Sequence, residues 1–142
     1  MKWKSLPILI AFSLIVLIGI YIILDPETNE LSEAERARLG GEYLNLSGGI
    51  THYKLEGRNG GKLVVLVHGG TVPMWTWDNK VQPLKDVGFK LLRYDTYGRG
   101  YSDRPKVTYD QKLYQRQLLE LVDRLGLTEK FDLIGYSLGG GT

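Results

Sequence analysis

An α/β fold preceded by one membrane-spanning helix is what the sequence predicts, and three observations predict it. An uncharged apolar run fills the N-terminal part from Leu6 to Leu24. Three solid aliphatic runs follow: Lys62 to Gly70 (KLVVLVHGG), Phe89 to Asp95 (FKLLRYD) and Phe131 to Ser137 (FDLIGYS). Each is too continuously apolar for a strand with one wet face and suits a strand covered on both. Between them lie stretches whose apolar residues recur every three or four positions, the period of a helix with one buried face. Strand, helix, strand, helix, strand is a parallel layout with right-handed crossovers.

The bulk composition agrees with one folded domain: 142 residues, 43% hydrophobic and 24% charged. Taking away the apolar run leaves roughly 115 residues, near the low end for an independent α/β domain. A net charge of +2 with scattered Lys and Arg gives no nucleic-acid surface. The absence of cysteine removes disulfides, thiolate metal sites, a cysteine nucleophile and a lipid-modified cysteine.

The run Leu6 to Leu24 would make a helix of roughly 28 Å, close to the hydrocarbon thickness of a bilayer. A cleaved signal peptide is the rival, but its apolar region is shorter and ends in small residues. Here the exit is bulky throughout, Ile20, Tyr21, Ile22, Ile23 and Leu24. Residues 1–24 therefore read as an uncleaved anchor. Lys2 and Lys4 precede it and no Lys or Arg follows before Arg36, so the N-terminus is expected in the cytoplasm and the remainder outside.

Residues 25–41 read as a juxtamembrane linker helix. Ser32 followed by Glu35 has the capping-box spacing, and Gly40 and Gly41 stop the helix. Its charged sequence suits an exposed helix without a partner. From Tyr43 the period changes to two. The runs on either side of Ser47, Gly48 and Gly49 form a β-hairpin. On it His52 alternates with Ile50 and Lys54 and reads as an exposed strand residue.

After the first aliphatic strand, Trp77, Val81, Leu84 and Val87 mark one face of a helix over Trp75 to Val87, which Pro83 must kink or shorten. Trp75 and Trp77 could line an acyl pocket, but a packed helix start suits large aromatics better. A second helix, Tyr109 to Leu125, sets Leu118, Leu121, Val122 and Leu125 on one face. In such sheets chemistry collects at the carboxyl ends of the strands. Those ends are His68 to Thr71, Asp95 to Tyr101, and Gly135 to Gly139.

The last of these reads Gly135-Tyr136-Ser137-Leu138-Gly139, a G-x-S-x-G pattern directly after a strand. That placement suits a nucleophile elbow, a strained strand-to-helix turn that lifts a serine hydroxyl clear of the sheet. Side chains at the two flanking glycines would collide in so tight a turn. An oxyanion hole needs the N–H after the serine and one from the loop after an earlier strand. Leu138 and the Gly69, Gly70, Thr71 loop are candidates for these.

The ordered set VHGG, YDTYGRGYSDRP and GYSLGG resembles the N-terminal half of an α/β-hydrolase, of the esterase, lipase and enol-lactonase type, over about Tyr43 to Thr142. The resemblance implies Ser137 as nucleophile, Leu138 and Gly70 as oxyanion donors with Thr71 as a further candidate, and Gly135 and Gly139 as elbow glycines. Asp95, Gly98, Gly100 and Ser102 match the family's D-x-x-G-x-G-x-S loop at the rim of the site, a structural role. It implies a small acyl substrate and no cofactor.

Rival motifs fail on single positions. In a dinucleotide fingerprint Asp103 stands where GRGYSD needs its third glycine, and Ser137 where GYSLGG needs its second. No phosphate-cradling G-x-x-x-x-G-K-[ST] occurs. His68 neighbours the oxyanion loop, yet the family's order is serine, acid, histidine, so the base is expected after Ser137 and His68 as a brace. Two histidines without adjacent acidic or thiol ligands make no metal site.

Residues 42–142 are thus expected to be a partial hydrolase domain, truncated just after the elbow and lacking the catalytic acid and histidine. Without a base the hydroxyl stays protonated and poorly nucleophilic. Two functions stay open: a membrane-anchored serine hydrolase acting on an ester, lactone or similar bond, of which this is the N-terminal part, and a non-catalytic tethered fragment that needs a complementing half.

Overall fold

The structure, a computed structural model, describes residues 6–24 and 30–142. Lys2 and Lys4, on which the expected orientation rests, and the Asp25–Pro26 step lie outside the described residues. The chain divides into two units, the second being Leu31–Thr142. The first contains helix α1, Leu6–Leu24, with a mean hydropathy of 2.9 and no buried side chain. It is long and apolar enough to cross a membrane.

The second unit opens with α2, Glu33–Leu39, where the capping box forms. The Ser32 amide donates to the Glu35 carboxylate at 2.8 Å, and Ser32 Oγ accepts from the Glu35 amide at 3.3 Å. Strands β1, Glu42–Leu46, and β2, Gly49–Gly57, make the expected hairpin. Then come β3, Leu63–Val67, α3, Asp78–Asp86, β4, Lys90–Tyr94, α4, Gln111–Arg124, and β5, Asp132–Gly135. The sheet order is β1-β2-β4-β3-β5, antiparallel as far as β4 and parallel across β4, β3 and β5.

All five residues of β3 are buried, because alternate side chains feed two cores. Leu63, Val65 and Val67 join Leu92, Tyr94 and the α4 residues Leu118, Leu121 and Val122. Val64 and Leu66 join Leu91 and Val81, with Trp77, Leu84 and Phe89 packed around them. A continuous aliphatic strand is therefore the right sequence for this central place. Burying each such side chain contributes about 1.5–3 kcal/mol.

Several elements differ from expectation. The helix expected over Trp75 to Val87 is a 3-10 turn, Met74–Trp77, followed by α3 with Pro83 inside it. Proline withholds the amide that would bond the carbonyl one turn back, and α3 ends three residues later. Trp75 is 61% exposed rather than packed, whereas Trp77 packs on the second core. The second helix begins at Gln111 because Asp110 caps it, accepting from the Leu113 amide at 2.9 Å.

Two corrections are larger. Helix α2 is not without a partner: Arg36 is 7% exposed and reaches Tyr101 O at 2.9 Å and Asp103 Oδ1 at 2.5 Å, with its guanidinium over the Tyr43 ring. His52 is not an exposed strand residue but 3% exposed. Strand alternation identifies which residues share a face; it does not reveal that Gly40, Tyr43 and Tyr101 cover that face.

Candidate active site

Register brings three strand ends together. Val67 lies opposite Tyr94 on one side and Gly135 on the other, so the residues following β3, β4 and β5 emerge at one edge of the sheet. Tyr136 continues β5 with its amide on Val67 O at 3.0 Å. The chain then reverses at Ser137, whose φ of 52° is the single positive value at a non-glycine residue among the described residues. Holding a side-chain-bearing residue there costs about 1–3 kcal/mol.

The turn after Ser137 is a 3-10 helix, Ser137–Gly141, closed by the Gly139 amide on Tyr136 O at 3.0 Å. Its glycines are required by space. A Cβ on Gly135 would overlap Gly139 O, and a Cβ on Gly139 would lie 2.5 Å from Val67 O and 2.6 Å from His68 O. Both obstacles are backbone, which cannot rotate away.

The loop after β3 packs on this turn. A Cβ on Gly69 would come within 3.1 Å of the Tyr136 ring and 3.3 Å of Ser137 Cβ, and one on Gly70 within 3.5 Å of Leu138 Cδ2. Ser137, Leu138 and Gly70 are thus brought together, and Thr71 follows at an exposed position. Backbone amides on two facing loops beside a serine hydroxyl can hydrogen-bond the oxyanion of a tetrahedral intermediate.

Asp95, Gly98, Gly100 and Ser102 form one turn, in which Asp95 and Ser102 are each 1% exposed while Tyr101 between them reaches the surface. Asp95 Oδ1 accepts from the Met74 amide at 2.8 Å, and Oδ2 accepts from His52 Nδ1 at 2.7 Å and the Tyr101 amide at 3.0 Å. Burial opposes ionisation of Asp95, but these bonds outweigh it and hold its carboxyl below the ordinary value of 3.8. Gly100, at φ 51°, must lack a side chain because a Cβ would overlap the Asp95 carboxylate. Ser102 Oγ donates to Asp95 O at 2.6 Å and accepts from the His52 amide at 2.9 Å.

Sequence reasoning missed two partners of this turn. One is His52. The other is Gln117, 1% exposed on α4, which accepts from the Tyr97 amide at 2.9 Å and donates to Asp95 O at 3.1 Å and Thr51 Oγ1 at 3.0 Å. A glutamine on the apolar side of α4, one residue before Leu118, was the available signal.

His68 is fully buried and braces the loop after β3. Its Nε2 accepts from the Thr96 amide at 2.9 Å, so its proton sits on Nδ1, which donates to Gly69 O at 2.6 Å. Burial lowers its affinity for a second proton below the ordinary value of 6.5, against the opposing effects of Gly69 O and Asp95. A histidine with a depressed value contributes stability that is fully present above 6.5 and falls away as pH drops toward the folded value. We expect the His68 ring resonances to titrate below pH 6.5 with the Nδ1–H tautomer dominant; a midpoint at or above 6.5 would contradict this packing.

Both of the chain's histidines are therefore engaged away from Ser137. Among the described residues no group of three His, Cys, Asp or Glu side chains could hold a metal. Around the elbow the surface is open: Leu133 and Ile134 on β5 are each 43% exposed, Tyr136 60% and Leu138 42%. A concavity of about 220 Å³ lies elsewhere, walled by Leu39, Lys54, Met74, Trp75 and Tyr101 among others, and Ser137 is not on its wall.

Comparison with known proteins identifies the fold family. The model of the alpha/beta hydrolase fold family matches residues 62–142. The AB hydrolase superfamily protein YfhM of Bacillus subtilis (strain 168) is 30% identical over 101 residues, which is 70% of this chain and 35% of that protein. Putative methylesterase 15, chloroplastic, of Arabidopsis thaliana is 37% identical over 89 residues, 61% of this chain and 20% of that protein. The crystal structure of the enol-lactonase from Burkholderia xenovorans LB400 superposes with a TM-score of 0.65 at 30% identity, over 70% of this chain and 38% of that one. The chain spans about a third of the length of the curated relatives it matches first.

Proposed function

The chain belongs to the alpha/beta hydrolase fold family, and on that premise we propose that it is the nucleophile-bearing part of a membrane-anchored serine hydrolase that cleaves an ester, lactone or similar acyl bond. The observation that carries the proposal is Ser137 at φ 52°, on a turn whose flanking glycines have no room for a side chain. Such a turn holds a hydroxyl out from the sheet edge at a strain cost that a plain loop would relax. The names of an enol-lactonase and a putative methylesterase among its relatives support an acyl substrate.

In the proposed reaction Ser137 Oγ attacks the acyl carbon as its proton passes to a base. The carbonyl oxygen takes up negative charge against the amides of Leu138 and Gly70, with Thr71 as a further donor. The leaving alkoxide takes the proton, and water then hydrolyses the acyl-serine by the same path in reverse. The base is not His52 or His68, each of which has both ring nitrogens engaged. We place the base and its orienting acid on residues outside this sequence, seated along the open β5 edge. By itself the chain is then inactive, and a tethered, non-catalytic product needing a complementing half is supported by the same engaged histidines.

The test is ester hydrolysis by the chain extended to the full length of its relatives. Ser137→Ala should lower kcat by about 10⁴-fold or more. Hydrolysis undiminished in that variant would sink the elbow assignment, leaving an ordinary glycine-rich turn.

The anchor reading rests on α1 and the orientation on Lys2 and Lys4, which put the N-terminus in the cytoplasm and the hydrolase part outside. Expressed chain should remain with membranes through alkaline washing. Ile15→Arg, a charge at mid-span costing about 2.5–3.5 kcal/mol on insertion scales, should reduce the retained fraction. Chain that washes off freely, or an N-terminus found beyond Leu24, would reject the anchor.

A further inference from the structure

The loop His68–Met74 is held at its start, middle and end by one turn. The Thr96 amide bonds His68, Arg99 Nε donates to Gly70 O, and Asp95 accepts from the Met74 amide. That turn is itself held from the other side by α2. Arg36 donates to Tyr101 O and to Asp103 Oδ1, and its side chain is 8% exposed.

His52 ties the end of α2 to the same turn. Its Nδ1 lies 2.7 Å from Asp95 Oδ2 and its Nε2 3.1 Å from Gly40 O. Gly41 gives the ring its space, since a Cβ there would overlap His52 Nε2, and Tyr43 stacks on the ring at 4.9 Å.

We propose that α2 is a working part of the hydrolase site, with Arg36 and His52 as positioning residues that fix the Asp95–Asp103 turn and, through it, the loop carrying Gly70. The proposal rests on the reading of Gly70 as an oxyanion donor. Oxyanion donors act only when held close to the position of the developing charge, so a loop released by a fraction of an ångström loses catalysis and not binding. Whatever unwinds α2 would then detune the site.

Amide hydrogen exchange on the full chain tests this without needing activity. Asparagine places its amide nitrogen where Nδ1 was, and glutamine where Nε2 was. His52→Asn should keep the Met74 and Tyr101 amides protected while α2 exchanges faster. His52→Gln should do the reverse, with Met74 and Tyr101 exchanging about tenfold faster or more. Arg36→Ala should speed exchange over Tyr101–Asp103 and at Met74 by a similar factor, and Arg36→Lys should restore part of it. The Val65 and Leu66 amides of β3, unchanged throughout, report an intact fold.

Unchanged exchange at Met74 in both His52→Gln and Arg36→Ala, or identical behaviour of the Asn and Gln variants, overturns the proposal. So does a uniform rise that includes β3 in Arg36→Lys as well. In the extended chain Arg36→Ala should lower kcat about tenfold at constant KM. If Ser137 proves not to be the nucleophile, the exchange results still decide whether α2 holds the loop.

Discussion

Gly139→Ala is expected to destabilise the Leu31–Thr142 unit by about 3 kcal/mol or more, at the upper end for an inserted methyl because the obstacle is strand backbone. The new Cβ would stand 2.5 Å from Val67 O and 2.6 Å from His68 O. Either β3 shifts, which disturbs two cores at once, or the elbow lifts off and Tyr136 loses its bond to Val67 O. Thermal unfolding of the detergent-solubilised chain should fall by about 10–20 °C. Gly140→Ala is the control: the nearest atom to its Cβ is 3.9 Å away, so its effect should stay within about 0.5 kcal/mol. Equal melting temperatures for the two variants would contradict the packing of the elbow on β3.

Asp95→Asn should cost about 1.5–3 kcal/mol or more, the range for a hydrogen bond to a charged group, because the buried carboxylate accepts three. Asparagine offers one acceptor oxygen where the carboxylate offers two, so its NH₂ group must face either the Met74 amide or the His52 and Tyr101 donors. The effect also has a pH signature. Because the folded carboxyl is held below 3.8, its contribution is fully present above that value and is lost as pH falls through the lower folded value. Denaturant titrations should therefore show the variant losing less stability than the parent chain between pH 4 and the acid limit, on the order of 1 kcal/mol per pH unit. Parallel pH profiles for the two proteins would remove Asp95 from its central place.

The parts of this molecule that were legible in the sequence are those set by local pattern. The aliphatic run of β3, the hairpin around Ser47 to Gly49 and the α4 stripe through Leu118, Leu121 and Val122 each follow from a period of residues along the chain. The glycines of the elbow were legible because a tight turn demands them wherever it occurs. What stayed hidden depends on partners far away in sequence. His52 and Asp95 are 43 residues apart, Arg36 and Asp103 are 67, and Gln117 and Thr51 are 66. A polar residue on a strand or helix gives the same local pattern whether water or a buried carboxylate meets it. The D-x-x-G-x-G-x-S loop read as structural, but the pattern does not show that Asp95 and Ser102 are buried and hold the amides of Met74 and His52, 21 and 50 residues away. Pro83 and Asp110 moved helix ends by amounts that periodicity alone does not resolve.

The central proposal is that Ser137, held at φ 52°, is the nucleophile and that neither His52 nor His68 serves as its base. The most direct measurement is peptide mapping of a fluorophosphonate adduct on two proteins, the 142-residue chain and the chain extended to the full length of its relatives. The account predicts an adduct on Ser137 in the extended protein, lost in Ser137→Ala, and little or none in the shorter chain. An adduct on any other serine of the extended protein, or equal labelling of Ser137 in both, would contradict it.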